Sequence, residues 1–252
     1  MAAIEKHEPF RRNSLLAPRY RRYWLPDLIA IVSLIGITIW LCSQTKIDFI
    51  VSDWFFRPAE PPGEAWPYSR STIWKLFNNS DIWVAGLLSC GALFTLLLSQ
   101  FKSRYKRVRI YAVFILLSLI LGPGVIVNLV FKDHWGRPRP HHVIEYGGDS
   151  AYVPPLHKGS GGESFPSGHA SVGFSYVVFW FIWRRRRPLR AFWALIGAVI
   201  LGSLFGMARL TIGAHFFSDI LWAFYIPFFT SLVLYYFVLR IPQYEDAADT
   251  RN

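Results

Sequence analysis

Six long apolar blocks decide what this chain can fold into. They run at about Pro26 to Cys42, Ile82 to Phe101, Ile110 to Phe131, Ala170 to Trp183, Ala191 to Met207 and Phe216 to Leu239. Roughly 20 apolar residues, rising about 1.5 Å each, cross about 30 Å of hydrocarbon. Backbone polar groups must be satisfied internally in that solvent, so each block reads as a membrane helix. The fourth and fifth blocks are short. Only 17% of the 252 residues are charged while 53% are hydrophobic, against about a quarter charged in soluble domains. A water-soluble globule and a disordered chain are both excluded. The expected fold is an all-α polytopic membrane bundle with six transmembrane helices. A basic N-terminal tail (residues 1–25) precedes the helical domain (residues 26–240), and a C-terminal tail (residues 241–252) follows it.

A formal charge of +11 suggests nucleic acid until the cations are located. The connections on one side of the bundle carry 18 Lys and Arg, those on the other side nine. The richer side holds the N-terminal tail, Lys102 to Arg109, Arg184 to Arg190 and the C-terminus. The positive-inside rule therefore puts both termini in the cytoplasm. Arg184 to Arg187 reads as a topology anchor beside anionic lipid, and no nucleic-acid partner is expected. The basic stretch before the first block is too long for a signal-peptide n-region and no small-x-small site follows, so that block is expected to remain as an anchor. Cys42 and Cys90 fall within spans and read as packing residues. In the outer connection from Thr45 to Asp81, Ile47, Ile50, Val51, Trp54 and Phe55 fall near helical spacing, as do Ile73, Trp74 and Phe77. Short interfacial helices are expected there, as an aromatic belt or as a lip that admits lipid sideways.

Ionisable residues crowd two connections on the same outer face. Lys132, Asp133, His134, Arg137, Arg139, His141 and His142 lie within eleven positions, as do Arg209, His215 and Asp219. Such groups are costly at a membrane boundary unless paired or solvated, which makes them functional candidates. His215 and Asp219 are four apart, the spacing that lets a carboxylate accept one ring N–H and leave the other nitrogen as a lone pair. Ser218 and Asp219 would also suit a polar helix start. Ser167 and Gly168 stand where the fourth block begins, and backbone N–H groups at a helix N-terminus suit an anion. His169 follows at the mouth, placed to donate a proton. Lys132, Arg139 and Arg209 come from separate helix ends and could surround a tetrahedral dianion.

Lys132-x6-Arg139-Pro140, Pro166-Ser167-Gly168-His169 and Arg209-x5-His215-x3-Asp219 resemble, in order and spacing, the three signature motifs of the type 2 phosphatidic acid phosphatase (PAP2) superfamily. One departure is Ala208, where the third motif usually opens with Ser. The resemblance implies that His215 attacks phosphorus to form a phosphohistidine, with Asp219 orienting it. It further implies that His169 protonates the leaving oxygen and then activates water, while Lys132, Arg139, Arg209, Ser167 and Gly168 hold the phosphate. Arg137, His141 and Lys158 are candidates for headgroup contacts. Phosphoryl transfer depends mainly on positioning and charge neutralisation, which fixed cations supply. No metal or cofactor is expected, since magnesium wants several carboxylates.

The chain most resembles bacterial members, some of them lipid A phosphatases. It is therefore expected in the inner membrane with its site facing the periplasm. The lipid A 1- or 4'-phosphate is the first substrate expectation. Phosphatidylglycerophosphate, phosphatidic acid and undecaprenyl pyrophosphate share the same phosphate chemistry. A lipid-to-lipid phosphotransferase is the second enzyme reading. A lipid-phosphate transporter is the non-enzyme alternative, although apart from Asn128 and scattered Ser and Thr the mid-span positions are apolar. The partners expected are the substrate lipid and the bilayer, with no obligate protein partner evident.

Overall fold

The structure is a computed structural model that describes residues 21–59, 64–102, 105 and 108–249. Most of the expected N-terminal tail, part of the basic stretch at 102–109 and the last three residues lie outside it. The described chain is helical, without named strands. Helices α1 (Arg21–Gln44), α2 (Ile47–Asp53), α3 (Thr72–Phe101), α4 (Arg109–Leu119) and α5 (Asp133–Trp135) make the first half. The second half is α6 (Gly168–Phe174), α7 (Val178–Trp183), α8 (Pro188–Leu210), α9 (Phe217–Val233) and α10 (Ile241–Asp249).

Among the described residues, five helical segments are long and apolar enough to cross a membrane. They are Trp24–Gln44, Thr72–Phe101, Arg109–Lys132, Pro188–Leu210 and Phe217–Val238. The chain is a multi-pass membrane protein. The sixth expected span is not among these five. Residues 168–183 are helical but in three pieces, α6, a 3-10 turn at Ser175–Val177 and α7. Sixteen residues rise only about 24 Å. This short element is buried through Val177, Val178 and Phe181 and packs against α8 and α9.

Close packing here depends on small residues, because lipid tails are as apolar as Leu and provide no hydrophobic drive between helices. A Cβ on Gly202 of α8 would meet Phe174 Cδ1 at 2.2 Å, and one on Gly206 would meet Ile220 Cγ2 of α9 at 2.6 Å. The large side chains Ile82, Trp83, Leu87, Phe94 and Leu97 of α3 are exposed, as a lipid-facing surface requires. Pro123 lacks the backbone N–H that an α-helix interior needs. Around it α4 runs on into a π-helix from Ile120 to Lys132, a wider coil that accommodates the missing N–H. Within it the Asn128 side chain donates to the Pro123 carbonyl at 2.7 Å.

Two boundaries differ usefully from the sequence expectation. Helix α3 begins ten residues earlier than the apolar block, so Asn78 and Asp81 are helical. The expected C-terminal tail is largely the helix α10, held by Arg185 Nη1 to Glu245 Oε2 at 2.7 Å and by Tyr111 Oη donating to Glu245 Oε1 at 2.7 Å. Arg184 pairs with Asp27. Arg184 and Arg185, read as part of a topology anchor, are therefore engaged within the protein. In the connection between α1 and α3, α2 and a 3-10 turn at Pro67–Arg70 are the short helices expected there, while Ile73, Trp74 and Phe77 belong to α3.

Candidate active site

Backbone hydrogen bonds bring the three motifs together. Gly136, at φ 71°, turns the chain after α5, and a Cβ there would meet the Gly159 carbonyl oxygen at 2.5 Å. The segment after this turn lies against the 159–164 loop. Gly159 N donates to the Trp135 carbonyl at 2.8 Å and Ser164 N to the Arg137 carbonyl at 3.0 Å. The first motif is thereby fixed to the second. His141 N donates to the Gly213 carbonyl at 3.0 Å, which ties the first motif to the third. Gly213 has φ 64° and lies under Trp66, with only 2.3 Å from a built Cβ to Trp66 Cε2. Ser167 N reaches the Asp219 carbonyl at 3.2 Å, joining the second motif to the third.

His215 is 1% exposed and stands just before α9 rather than on it, yet it still lies within ion-pair distance of Asp219. Its Nδ1 lies 3.7 Å from Asp219 Oδ2, too far for a hydrogen bond. The ring instead meets the Ser164 carbonyl oxygen, 2.5 Å from Nδ1. A carbonyl only accepts, so Nδ1 carries the proton and Nε2 keeps the lone pair. Burial pushes the imidazole down to about 4, against the pull of Asp219 towards the charged form, so the ring is neutral at pH 7.

Asp219 is fully buried and occupied elsewhere. Its Oδ1 pairs with Arg137 Nη1. Its Oδ2 accepts from Ser164 Oγ at 2.5 Å and from Phe216 N at 2.8 Å. The last contact satisfies one of the orphan N–H groups at the start of α9. Asp219 is thus both a helix cap and a neighbour of the nucleophile candidate.

Arg137 corrects the sequence reading. Expected among the headgroup contacts, it is 0% exposed and salt-bridged to Asp48 Oδ2 at 2.7 Å as well as to Asp219. A guanidinium with no surface cannot reach a headgroup. Burial opposes its charge, but Asp219 and Asp48 outweigh that and hold it above the ordinary arginine value. Lys158 is exposed on the loop. His141 is half-buried with Nδ1 2.7 Å from the Gly213 carbonyl. Burial and the facing His142 hold its ring below the usual histidine value, while Arg139 and Arg209 also act on it.

The remaining motif residues gather around the N-terminal end of α6. Ser167 is the N-cap, its Oγ accepting from Ala170 N at 3.5 Å. Gly168 faces Asn128, whose Oδ1 would lie 2.9 Å from a Cβ there. His169 Nε2 is 3.6 Å from Asp81 Oδ2, and Arg209 and Lys132 are among the charges acting on it. Arg209 Nη1 donates to Asn78 Oδ1 at 2.5 Å, while its Nε is buried with no hydrogen-bond partner. Arg139 pairs with Glu163 at 3.1 Å, both partly exposed. Asn78, Asp81, Asp48 and Ser164 lie outside the motif positions. Only the helical spacing running back from Phe77 hints that Asn78 and Asp81 share a helix with the second span.

The PAP2 superfamily profile matches residues 110–242, a region that holds all three motifs. The chain belongs to the PAP2 superfamily. Among PAP2-related proteins, a lipid A 4'-phosphatase of Francisella tularensis subsp. novicida is 37% identical over 154 residues, 60% of this chain and 67% of that protein. A lipid A 4'-phosphatase of Rhizobium etli is 32% identical over 131 residues, covering 50% and 48% of the two chains. A lipid A 1-phosphatase of the same organism is 35% identical over 107 residues, covering 42% and 41%. The matched region thus spans about half or less of these Rhizobium relatives. A transmembrane PAP2 type phosphatidylglycerolphosphate phosphatase from Bacillus subtilis, solved by crystallography, is 19% identical with a TM-score of 0.36, covering 88% of this chain and 97% of that one. As a PAP2 membrane protein with these motifs, the chain is a lipid phosphate phosphatase that hydrolyses a phosphomonoester.

Proposed function

We propose that the substrate is lipid A, dephosphorylated at the 4' position in preference to the 1 position, by way of a phosphohistidine. The observation that carries the chemistry is the state of His215. Its Nδ1 proton is committed to the Ser164 carbonyl and its ring is neutral, so Nε2 is a lone-pair nucleophile. In the first step the Nε2–P bond forms as the P–O bond to the sugar breaks, and His169 gives the leaving oxygen its proton. In the second step His169 takes a proton from water, the water oxygen bonds to phosphorus and the N–P bond breaks. The buried, unfilled Nε–H of Arg209 is a ready donor to an equatorial oxygen, with Lys132, Arg139, Ser167 and the Gly168 amide completing the cradle. Fixed donors of this kind account for factors of about 100 to 1000 each in rate. The names of the relatives support the lipid A backbone, and the longest of the three matches described supports the 4' position.

The charge asymmetry supports an inner-membrane orientation with both termini cytoplasmic and the site facing the periplasm. The test is phosphate release by detergent-solubilised protein in EDTA from lipid A, phosphatidylglycerophosphate, phosphatidic acid and undecaprenyl pyrophosphate, with His215→Ala alongside. Mass analysis of the lipid A product assigns the position. His215-dependent release of the 4' phosphate is expected. Preferential release from a glycerolipid would overturn the substrate, and equal rates for His215→Ala would overturn the nucleophile.

A further inference from the structure

The guanidinium of Arg137 is bonded to capacity. Nε donates to the Val153 carbonyl at 2.8 Å, Nη1 to Ser218 Oγ at 2.9 Å and to Asp219 Oδ1, and Nη2 to Asp48 Oδ2 at 2.7 Å and Tyr152 Oη at 3.2 Å. That uses all five N–H groups. Its faces are covered by Phe216 at 4.6 Å and Tyr152 at 5.4 Å. No donor remains for a substrate, although Arg137 stands only two residues from Arg139 of the first motif.

Two carboxylates share this one cation. Asp48 comes from α2, in the outer connection and far from the motifs in sequence. Besides Arg137 it accepts from Ser218 N at 2.8 Å, Ser218 Oγ at 2.7 Å and Tyr152 Oη at 2.9 Å. Asp48 therefore fastens α2 to the first turn of α9, beside the nucleophile. From Asp48 a continuous chain of bonds runs through Arg137 and Asp219 to the Ser164 hydroxyl, and the Ser164 carbonyl holds His215 Nδ1. Buried charges of this kind are seldom needed for stability, since well-packed apolar replacements are often neutral or better. Their use beside His215 asks for another reason.

We infer that Arg137 and Asp48 are a positioning pair for the reaction, acting on His215 through Asp219 and Ser164 without touching the substrate. This rests on the reading of His215 as the nucleophile. With Arg137 in place, the Asp219 carboxylate is held with Oδ2 on the Ser164 hydroxyl. Without it the carboxylate is free to rotate towards His215 Nδ1 or away from it, and the ring loses its fixed bearing. Asp48 completes the arrangement by holding the far side of the guanidinium.

Arg137→Lys and Asp48→Asn test this, the second removing a charge with little change of shape. Two quantities are measured: kcat and KM per folded molecule with the preferred lipid, and the proton resonance of the His215 Nδ1–H in detergent, assigned by its loss in His215→Gln. In both variants kcat should fall about ten- to a hundredfold, the range for groups that act by orienting another residue. KM should stay within about twofold, and the Nδ1–H resonance should shift or broaden. A rise in KM with the resonance unmoved would make Arg137 a substrate contact and overturn the inference. Wild-type kcat with an unmoved resonance in Asp48→Asn would make the network mere scaffold and overturn it equally. If the wild-type protein releases no phosphate from any lipid but the resonance still moves, the phosphatase reading fails while the positioning of His215 by the pair stands.

Discussion

His215 Nδ1 is 2.5 Å from the Ser164 carbonyl oxygen and 3.7 Å from Asp219 Oδ2, so a backbone carbonyl, not the carboxylate, fixes the tautomer. Where an aspartate is the direct partner of a catalytic histidine, its replacement by Asn can cost about 10⁴ in rate through the wrong tautomer. Here the tautomer has an independent guardian. Asp219→Asn should therefore cost less, about a hundredfold in kcat, as loss of charge and of the Ser164 anchor. Ser164→Ala, which keeps the carbonyl and loses the hydroxyl, should cost roughly tenfold by the same reasoning. Steady-state phosphate release separates the two, and a Ser164→Ala loss equal to that of Asp219→Asn would mean that the hydroxyl carries the whole effect.

The pH dependence follows from the burial of His215. Its ring is pushed down to about 4 from an ordinary 6.5, so the folded state holds it neutral while the unfolded chain protonates it. Stability from this residue is complete above about 6.5 and is lost as pH falls towards 4. Thermal unfolding in detergent should show a decline across that window, which His215→Gln flattens. The acidic limb of kcat/KM should lie near 4 for the same group.

Arg137→Met should be poorly tolerated. It strands Asp48 and Asp219, both buried, and breaking a buried pair from one side costs about 3–5 kcal/mol. Adding Asp48→Asn in the same chain should restore part of the loss in thermal stability, since one stranded charge is removed.

Asn78→Ala tests the support of Arg209. The amide oxygen holds Nη1 at 2.5 Å, and a hydrogen bond to a charged group contributes about 1.5–3 kcal/mol. Part of that should appear as a weaker grip on phosphate, with KM raised about tenfold. Inorganic vanadate, a phosphate mimic, should inhibit less strongly by a similar factor.

Gly213→Ala should disrupt the third motif from a position that touches no substrate. The backbone is left-handed and Trp66 occupies the space of a Cβ, so the change costs more than the roughly 1 kcal/mol usual for strain alone. Trp66→Leu in the same chain should recover some activity by removing the clash, though not the conformational penalty.

The apolar blocks and the three motifs were legible because hydropathy and spacing are local. Pairings across the chain were not. Arg137 and Arg139 look alike in sequence, yet one is sealed against Asp48, 89 positions away, and the other is partly exposed beside Glu163. The stretch from Thr72 to Asp81 carries Lys75, Asn78, Asn79 and Asp81, and so reads as a short interfacial helix separate from the second span. Helical structure there depends on α3 continuing past the hydrocarbon edge, which hides Asn78 and Asp81 from hydropathy. The four-residue spacing of His215 and Asp219 suggested one helix face, but the helix starts at Phe217, and the capping role of Asp219 set that boundary.

The short helical element at residues 168–183 has a consequence for the membrane around it. At about 24 Å it falls some 6 Å short of a typical hydrocarbon core, and it is the element that carries Ser167, Gly168 and His169 at its mouth. With Arg184 to Arg187 at the opposite surface, the mouth of this element is expected below the headgroup plane, and lipid around the protein is expected to thin or dip to meet it. Hydrophobic mismatch thus becomes a control on turnover: rates should be highest in thin bilayers and fall as acyl chains lengthen, at fractions of a kcal/mol per Å.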